Sequence, residues 1–208
     1  MKEFNVYCLG AGQTGKTALA VRYLTGRYIH EYTSLEEEVY TRVVKHDGER
    51  VNVNILIKDS RKIQNDIEMD SKSGIMVVYS VTDKDSFAEA HSLLRHLKAL
   101  RISAVIPVVL VATKVDLVDQ RRIPEEESST LAGKMNCTPF EVSAARNDNV
   151  GQLFQQMFKQ IDIRHQLSAA DDDEESGPVF RANRTSVHSP RESLNSTLGS
   201  ESDVSTET

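Results

Sequence analysis

The stretch Gly10-Ala11-Gly12-Gln13-Thr14-Gly15-Lys16-Thr17 fits G-x-x-x-x-G-K-[ST] and constrains this chain more than any other. Ahead of it, Phe4 to Leu9 is an apolar run of strand length. Behind it, Ala18 to Leu24 is a run of good helix formers. Strand, glycine loop and helix are the setting in which this pattern becomes a phosphate cradle. The glycines let backbone N–H groups turn inward around a β-phosphate, and the helix N-terminus adds its positive dipole end. Lys16 is placed to neutralise β/γ-phosphate charge, and the Thr17 hydroxyl to sit on Mg²⁺.

Further on, Gly26 to Glu38 reads as a loop of turn formers and three consecutive glutamates. Tyr40–His46 and Val51–Ile57 read as strands joined by Asp47-Gly48, a strong hairpin signal. In the second strand Val51, Val53, Ile55 and Ile57 share one face, with Asn52 and Asn54 on the other. Lys58 to Ser73 is polar and weakly patterned, a loop with at most a short helix. Ile75–Ser80 and Ile106–Ala112 are continuous apolar runs, as expected of strands covered on both faces. Asp83 is placed to cap a helix from about Asp85 to Leu100, on which Phe87, Ala90, Leu93, Leu94, Leu97 and Leu100 keep helical spacing. Pro124 followed by Glu125-Glu126-Glu127 marks another helix start. Thr138–Val142 is a short strand, and Asn149–Gln166 a last helix with Val150, Leu153, Phe154, Met157, Phe158 and Ile161 on its core stripe.

Strands alternating with helices predict an α/β fold: a three-layer sandwich around a mostly parallel six-stranded sheet, with one antiparallel edge strand from the hairpin. Ligands on such sheets bind at the carboxyl ends of strands. The phosphate loop, Lys58–Ser73 and the segment from Thr113 all follow strand ends and are expected to meet there.

The folded domain is expected to span residues 1–167. From Ser168 onward, nine acidic residues and three arginines carry the whole net charge of −6, leaving 22 acidic and 22 basic residues in 1–167. A neutral folded part argues against nucleic acid as the main partner. The tail, residues 168–208, is acidic and Ser/Thr-rich and lacks the apolar content to fold, so disorder is expected. Ser189-Pro190 with Arg184 and Arg191 nearby reads either as a phosphorylation site or as part of a plain solvated tail. Two cysteines, Cys8 and Cys137, imply no disulfide framework and suit the reducing cytosol. No run has transmembrane length. The absence of cysteine after Cys137 and of glycine at position 2 argues against a lipid anchor. A cytoplasmic location follows, with the nucleus as the other compartment open to such a chain.

Thr113-Lys114-Val115-Asp116 directly follows the strand ending at Ala112. An aspartate there accepts hydrogen bonds from the N1–H and exocyclic amino group of guanine, a donor pair that adenine lacks. The Lys114 stem can lie against the base and ribose. Ser143-Ala144-Ala145 follows the strand ending at Val142 and brings a backbone N–H toward the guanine O6. With these three motifs in order, the chain resembles the Ras superfamily of small GTPases over residues 3–166. The runs Arg22–Ile29 and Val77–Phe87 look most like the estrogen-regulated growth-inhibitor-like and Ras-like branch. The resemblance implies GTP/GDP contacts from Gly10, Ala11, Gly12, Gln13, Thr14, Gly15, Lys16, Thr17 and Ala18. It adds Tyr28 packing on the guanine, with Thr113, Lys114, Asp116, Ser143 and Ala144 around the base. It also implies a monomer that works through effector and regulatory proteins.

The switch regions depart from that family. The threonine that binds Mg²⁺ in the first switch is replaced by Leu35 in a gapless alignment. The D-x-x-G-Q of the second becomes Ile57-Lys58-Asp59-Ser60-Arg61, and the loop after it is about three residues shorter. Leu35 and Ile57 offer no oxygen to a metal, and Arg61 has no acceptor to orient a water in place of the expected glutamine. No catalytic residue is therefore assigned. Thr33 and Asp59 each lie two residues from the missing partner, and a two-residue register shift would keep Asp59 on the metal-facing side. Thr17 and, through that shift, Asp59 are the metal candidates, with Mg²⁺ weakly held. Two functions follow: a small GTPase of weak or slow GTP hydrolysis, or a pseudoGTPase in which nucleotide stabilises an interaction module without switching. An ATP-dependent small-molecule kinase is disfavoured by Asp116 and by the lack of a lid segment.

Overall fold

The computed structural model describes residues 2–29, 37–60 and 69–171. Strands β1 (Lys2–Gly10), β2 (Glu37–His46), β3 (Glu49–Asp59), β4 (Ser73–Ser80), β5 (Val108–Thr113) and β6 (Thr138–Glu141) form one sheet in the order β2-β3-β1-β4-β5-β6. Only the β2–β3 pair is antiparallel. Helices α1 (Lys16–Thr25), α2 (Lys84–Ala99), α3 (Ile102–Val105), α4 (Glu125–Met135) and α5 (Val150–Asp171) complete the described chain.

Alternation along β1 splits the core in two. Phe4, Val6 and Cys8 face α1 and α5, meeting Leu19, Leu153, Phe154 and Phe158. Tyr7 and Leu9 face α2 and α4, meeting Phe87, Leu94 and Leu131. β4 and β5 are buried along their whole length, which is why they read as unbroken apolar runs. Because β1, β3, β4, β5 and β6 run in one direction, their carboxyl ends lie along one edge of the sheet. The site forms there.

Asp47 and Gly48 close the hairpin with φ of 47° and 86°, the left-handed pair a two-residue turn requires. The carboxylate of Asp83 accepts from the Asp85 N–H at 3.0 Å, as expected of a cap, and Pro124 precedes α4. Several boundaries differ from expectation. β2 begins at Glu37, inside the predicted loop, because the backbone of Glu37 and Glu38 pairs with Lys58 and Ile57; the ladder outweighs the weak strand preference of glutamate. β3 likewise continues to Asp59, opposite Gly10, and β4 starts at Ser73. The last helix passes Gln166 and reaches Asp171, since Ala169 and Ala170 are strong helix formers. α3 and a 3-10 turn at Val118–Gln120 are too short to leave a periodic trace. The tail beyond Asp171 lies outside the described residues.

At the opposite edge of the sheet, His46 closes β2 on α5. Its Nε2 lies 3.0 Å from Asp162 Oδ2 and 3.6 Å from Asp47, while the Lys2 ammonium pairs with Asp162 as well. The imidazole meets Phe4 and Phe158 edge-on at 5.8 and 5.6 Å. His46, Asp47 and Asp162 have the spacing of metal ligands, but Lys2 already brings a cation to the carboxylate they would share. Among the described residues, no helix is long and apolar enough to cross a membrane.

Candidate functional site

The phosphate loop starts where β1 meets β4. A Cβ at Gly10 would stand 2.1 Å from the Val78 carbonyl oxygen, so the residue type is dictated by backbone approach. Gly15, with φ of 89°, turns the chain into α1. Between them Gln13 takes φ of 60°, a left-handed conformation unusual for a residue with a side chain. The Thr14 hydroxyl donates to Ala11 O at 3.0 Å. Lys16 is buried, and its ammonium donates to Gly10 O at 2.7 Å and Ala11 O at 2.6 Å, so the charge is curled over the cradle. Gly12 stays exposed at the loop's outer face, while Ala18 is buried in the first turn of α1.

The loops after β5 and β6 are tied to this cradle. Thr113 Oγ1 donates to Thr14 O at 2.5 Å and lies 2.9 Å from Tyr79 O. Lys114, at φ of 62°, stretches its ammonium to Gln13 O at 2.8 Å. Its aliphatic stem is thereby laid between the two loops, where a base would rest on it. Asp116 Oδ1 accepts from the Ser143 hydroxyl at 2.7 Å, and that same oxygen of Ser143 accepts from the Arg146 N–H at 3.0 Å. The Asp116 carboxylate is thus oriented from behind by a fully buried serine.

Sequence reasoning missed Arg22. From the last turn of α1 its Nε donates to Ala144 O at 2.6 Å, and its two Nη atoms to Ala145 O at 2.8 Å and Gly26 O at 2.7 Å. Its guanidinium also lies 5.7 Å from the Tyr28 ring centre. One side chain therefore joins the Ser143–Ala145 loop to the segment carrying Tyr28. The signal available beforehand was the alanine at 145, where the family has a lysine.

On the metal side, Thr17 Oγ1 donates to Glu38 Oε2 at 3.3 Å, and the Tyr40 hydroxyl donates to the same oxygen at 2.7 Å. Ile57 is 5% exposed, packed in the core beneath α1. Asp59 is the last residue of β3, paired with Gly10 and on the same face as Ile57. The Ser60 hydroxyl contacts the Glu89 carboxylate of α2. Thr33, Leu35 and Arg61 lie outside the described residues.

The donor set fits a guanine nucleotide with Mg²⁺. Lys16 and the loop suit polyphosphate, and Asp116 offers carboxylate acceptors where the base would lie. Thr17 and Glu38 present the hard oxygens that Mg²⁺ prefers. The thiols belong elsewhere. Burial pushes Cys8 up to about 12 against the opposing charge of Lys16, and pushes Cys137 up to about 11. Both are neutral at pH 7 and are neither nucleophiles nor ligands there.

The sequence profile of the Ras family matches residues 5–163. Ras-like protein family member 11A of Homo sapiens is 30% identical over 178 residues, covering 80% of this chain and 74% of that protein. Ras-like protein family member 11B of Xenopus tropicalis is 34% identical over 172 residues, covering 77% and 69% respectively.

Proposed function

The chain belongs to the Ras family of small GTPases, and from that premise we propose a guanine-nucleotide-binding signalling protein whose GTP hydrolysis is weak or slow. The observation that carries the reading is the stitching of Thr113 to Thr14, Lys114 to Gln13 and Ser143 to Asp116. Those bonds hold the base-reading aspartate and the phosphate cradle in one frame. Asp116 then selects guanine by accepting from two N–H groups that adenine does not offer. Lys16 leaves its carbonyl partners for the phosphates, a stronger charge-assisted contact. Bound Mg²⁺ would be held by Thr17 and neighbouring carboxylate oxygens, and would neutralise phosphate charge.

Weak hydrolysis rests on the second switch. Ile57 is sealed in the core and offers no oxygen to a metal, and Ser60, standing where the family has glycine, has its hydroxyl held by Glu89 on α2. The same observation favours a second reading, a nucleotide-stabilised interaction module without switching. A ligand that binds two states equally shifts neither. In either reading the protein acts as a cytoplasmic monomer on effector or regulatory proteins.

The test is paired affinity of the full chain for GDP and a non-hydrolysable GTP analogue, with single-turnover GTP hydrolysis alongside. A preference of about tenfold or more between the nucleotides, with slow turnover, supports the GTPase. Equal affinity and no turnover supports the module. Failure to bind either nucleotide overturns both.

A further inference from the structure

We propose that Glu38 is the carboxylate that holds the nucleotide's Mg²⁺ in this chain, acting from the strand beside the position that Ile57 occupies. The inference rests on the guanine-nucleotide reading above and deepens its metal site.

Antiparallel pairing sets Glu38 directly opposite Ile57, so their side chains leave the sheet on the same face. That face is the one α1 covers, and α1 carries Thr17. Starting from β2 moves the carboxylate sideways by one strand spacing, about 5 Å. A glutamate has the length to reach back across that gap. Its Oε2 is 3.3 Å from Thr17 Oγ1. Two adjacent oxygens of an octahedral Mg²⁺, each about 2.0–2.1 Å from the metal, stand about 2.9 Å apart. Glu38 and Thr17 are thus within a few tenths of an ångström of the spacing that two neighbouring ligands need. The Tyr40 hydroxyl, 2.7 Å from the same Oε2, steadies the carboxylate.

The arrangement also says when the metal is held. Glu38 is fixed by a strand ladder with β3 and by Tyr40, neither of which draws on the phosphates of a nucleotide. Mg²⁺ affinity from this ligand is therefore the same with GDP and with GTP.

Glu38→Gln tests the idea cleanly, because glutamine keeps an oxygen to accept from Thr17 and Tyr40 and removes only the charge. Release of fluorescent GDP from the full chain is followed from EDTA through a Mg²⁺ titration. Mn²⁺ binding by electron paramagnetic resonance provides a second readout. In EDTA, wild type and variant release nucleotide within about threefold of each other. The Mg²⁺ midpoint rises about tenfold or more in Glu38→Gln, and equally with a non-hydrolysable GTP analogue. Asp59→Asn moves it less than about threefold. An unchanged midpoint in Glu38→Gln overturns the proposal, as does a larger shift in Asp59→Asn or wild-type release that ignores Mg²⁺. Wild type that binds no guanine nucleotide even in EDTA overturns the functional reading itself, and this inference with it.

Discussion

The base-reading side of the site and its metal-facing side are assembled differently. Thr113 ends β5 and Lys114, Asp116 and Ser143 stand in loops, yet each is held by a contact to another segment, at 2.5, 2.8 and 2.7 Å. They keep the residue types of the family and need no partner from the switch segments. The metal side instead has Ile57 in the core, Ser60 drawn to Glu89, and a carboxylate arriving from β2. Holding a nucleotide and sensing its third phosphate are separate tasks on separate elements. On the function proposed above, the first is kept while the second is rebuilt.

The largest way to break that contrast is Lys16→Ala. It removes charge-assisted contacts worth about 1.5–3 kcal/mol each, so affinity for GDP and the GTP analogue is expected to fall together by about a hundredfold or more. Equilibrium binding checks this, and a loss confined to the analogue would show that holding and sensing share this residue. Asp116→Asn is smaller and falls on one side alone. Guanine affinity is expected to drop about ten- to a hundredfold and xanthine to gain, with the Mg²⁺ midpoint unmoved. Competition with GDP and XDP reads it.

Gln13→Gly is the smallest. A left-handed residue with a Cβ costs about 1–2 kcal/mol, and glycine returns about 0.5–1 of it through the unfolded chain. Melting temperature is expected to rise by a few degrees or stay level, with Kd within about twofold, because Lys114 bonds to the backbone oxygen of Gln13 and not to its side chain. A clear fall in melting temperature would mean the Gln13 side chain supports the cradle.

The preserved side was legible because its information is contiguous. Gly10–Thr17, Thr113–Asp116 and Ser143–Ala145 are short runs directly after strands, and periodicity was enough to place those strands. Arg22 was not legible, since its three carbonyl partners include two from residues far along the chain. Glu38 is the instructive miss. A two-residue Asp47-Gly48 turn pairs His46 with Glu49, and counting outward pairs Glu38 with Ile57. The placement of the Glu38 carboxylate beside Ile57 could have been found from the hairpin rule. Asp59 is a candidate found along the chain, whereas Glu38 is one found across it.

The His46–Asp162 clamp bears on this arrangement through simple leverage. It grips β2 at the end away from the nucleotide, and Glu38 stands eight residues along the strand, about 27 Å at 3.4 Å per residue. At that radius a tilt of about two degrees at the clamp displaces the carboxylate by about one ångström. Packed edge-on against two phenylalanine rings and tied to α5, the imidazole anchors the far end of the strand whose other end sets Glu38 beside Thr17. The position of Glu38 is thus held nearby by the β3 ladder and Tyr40, and from the far side of the sheet by this clamp.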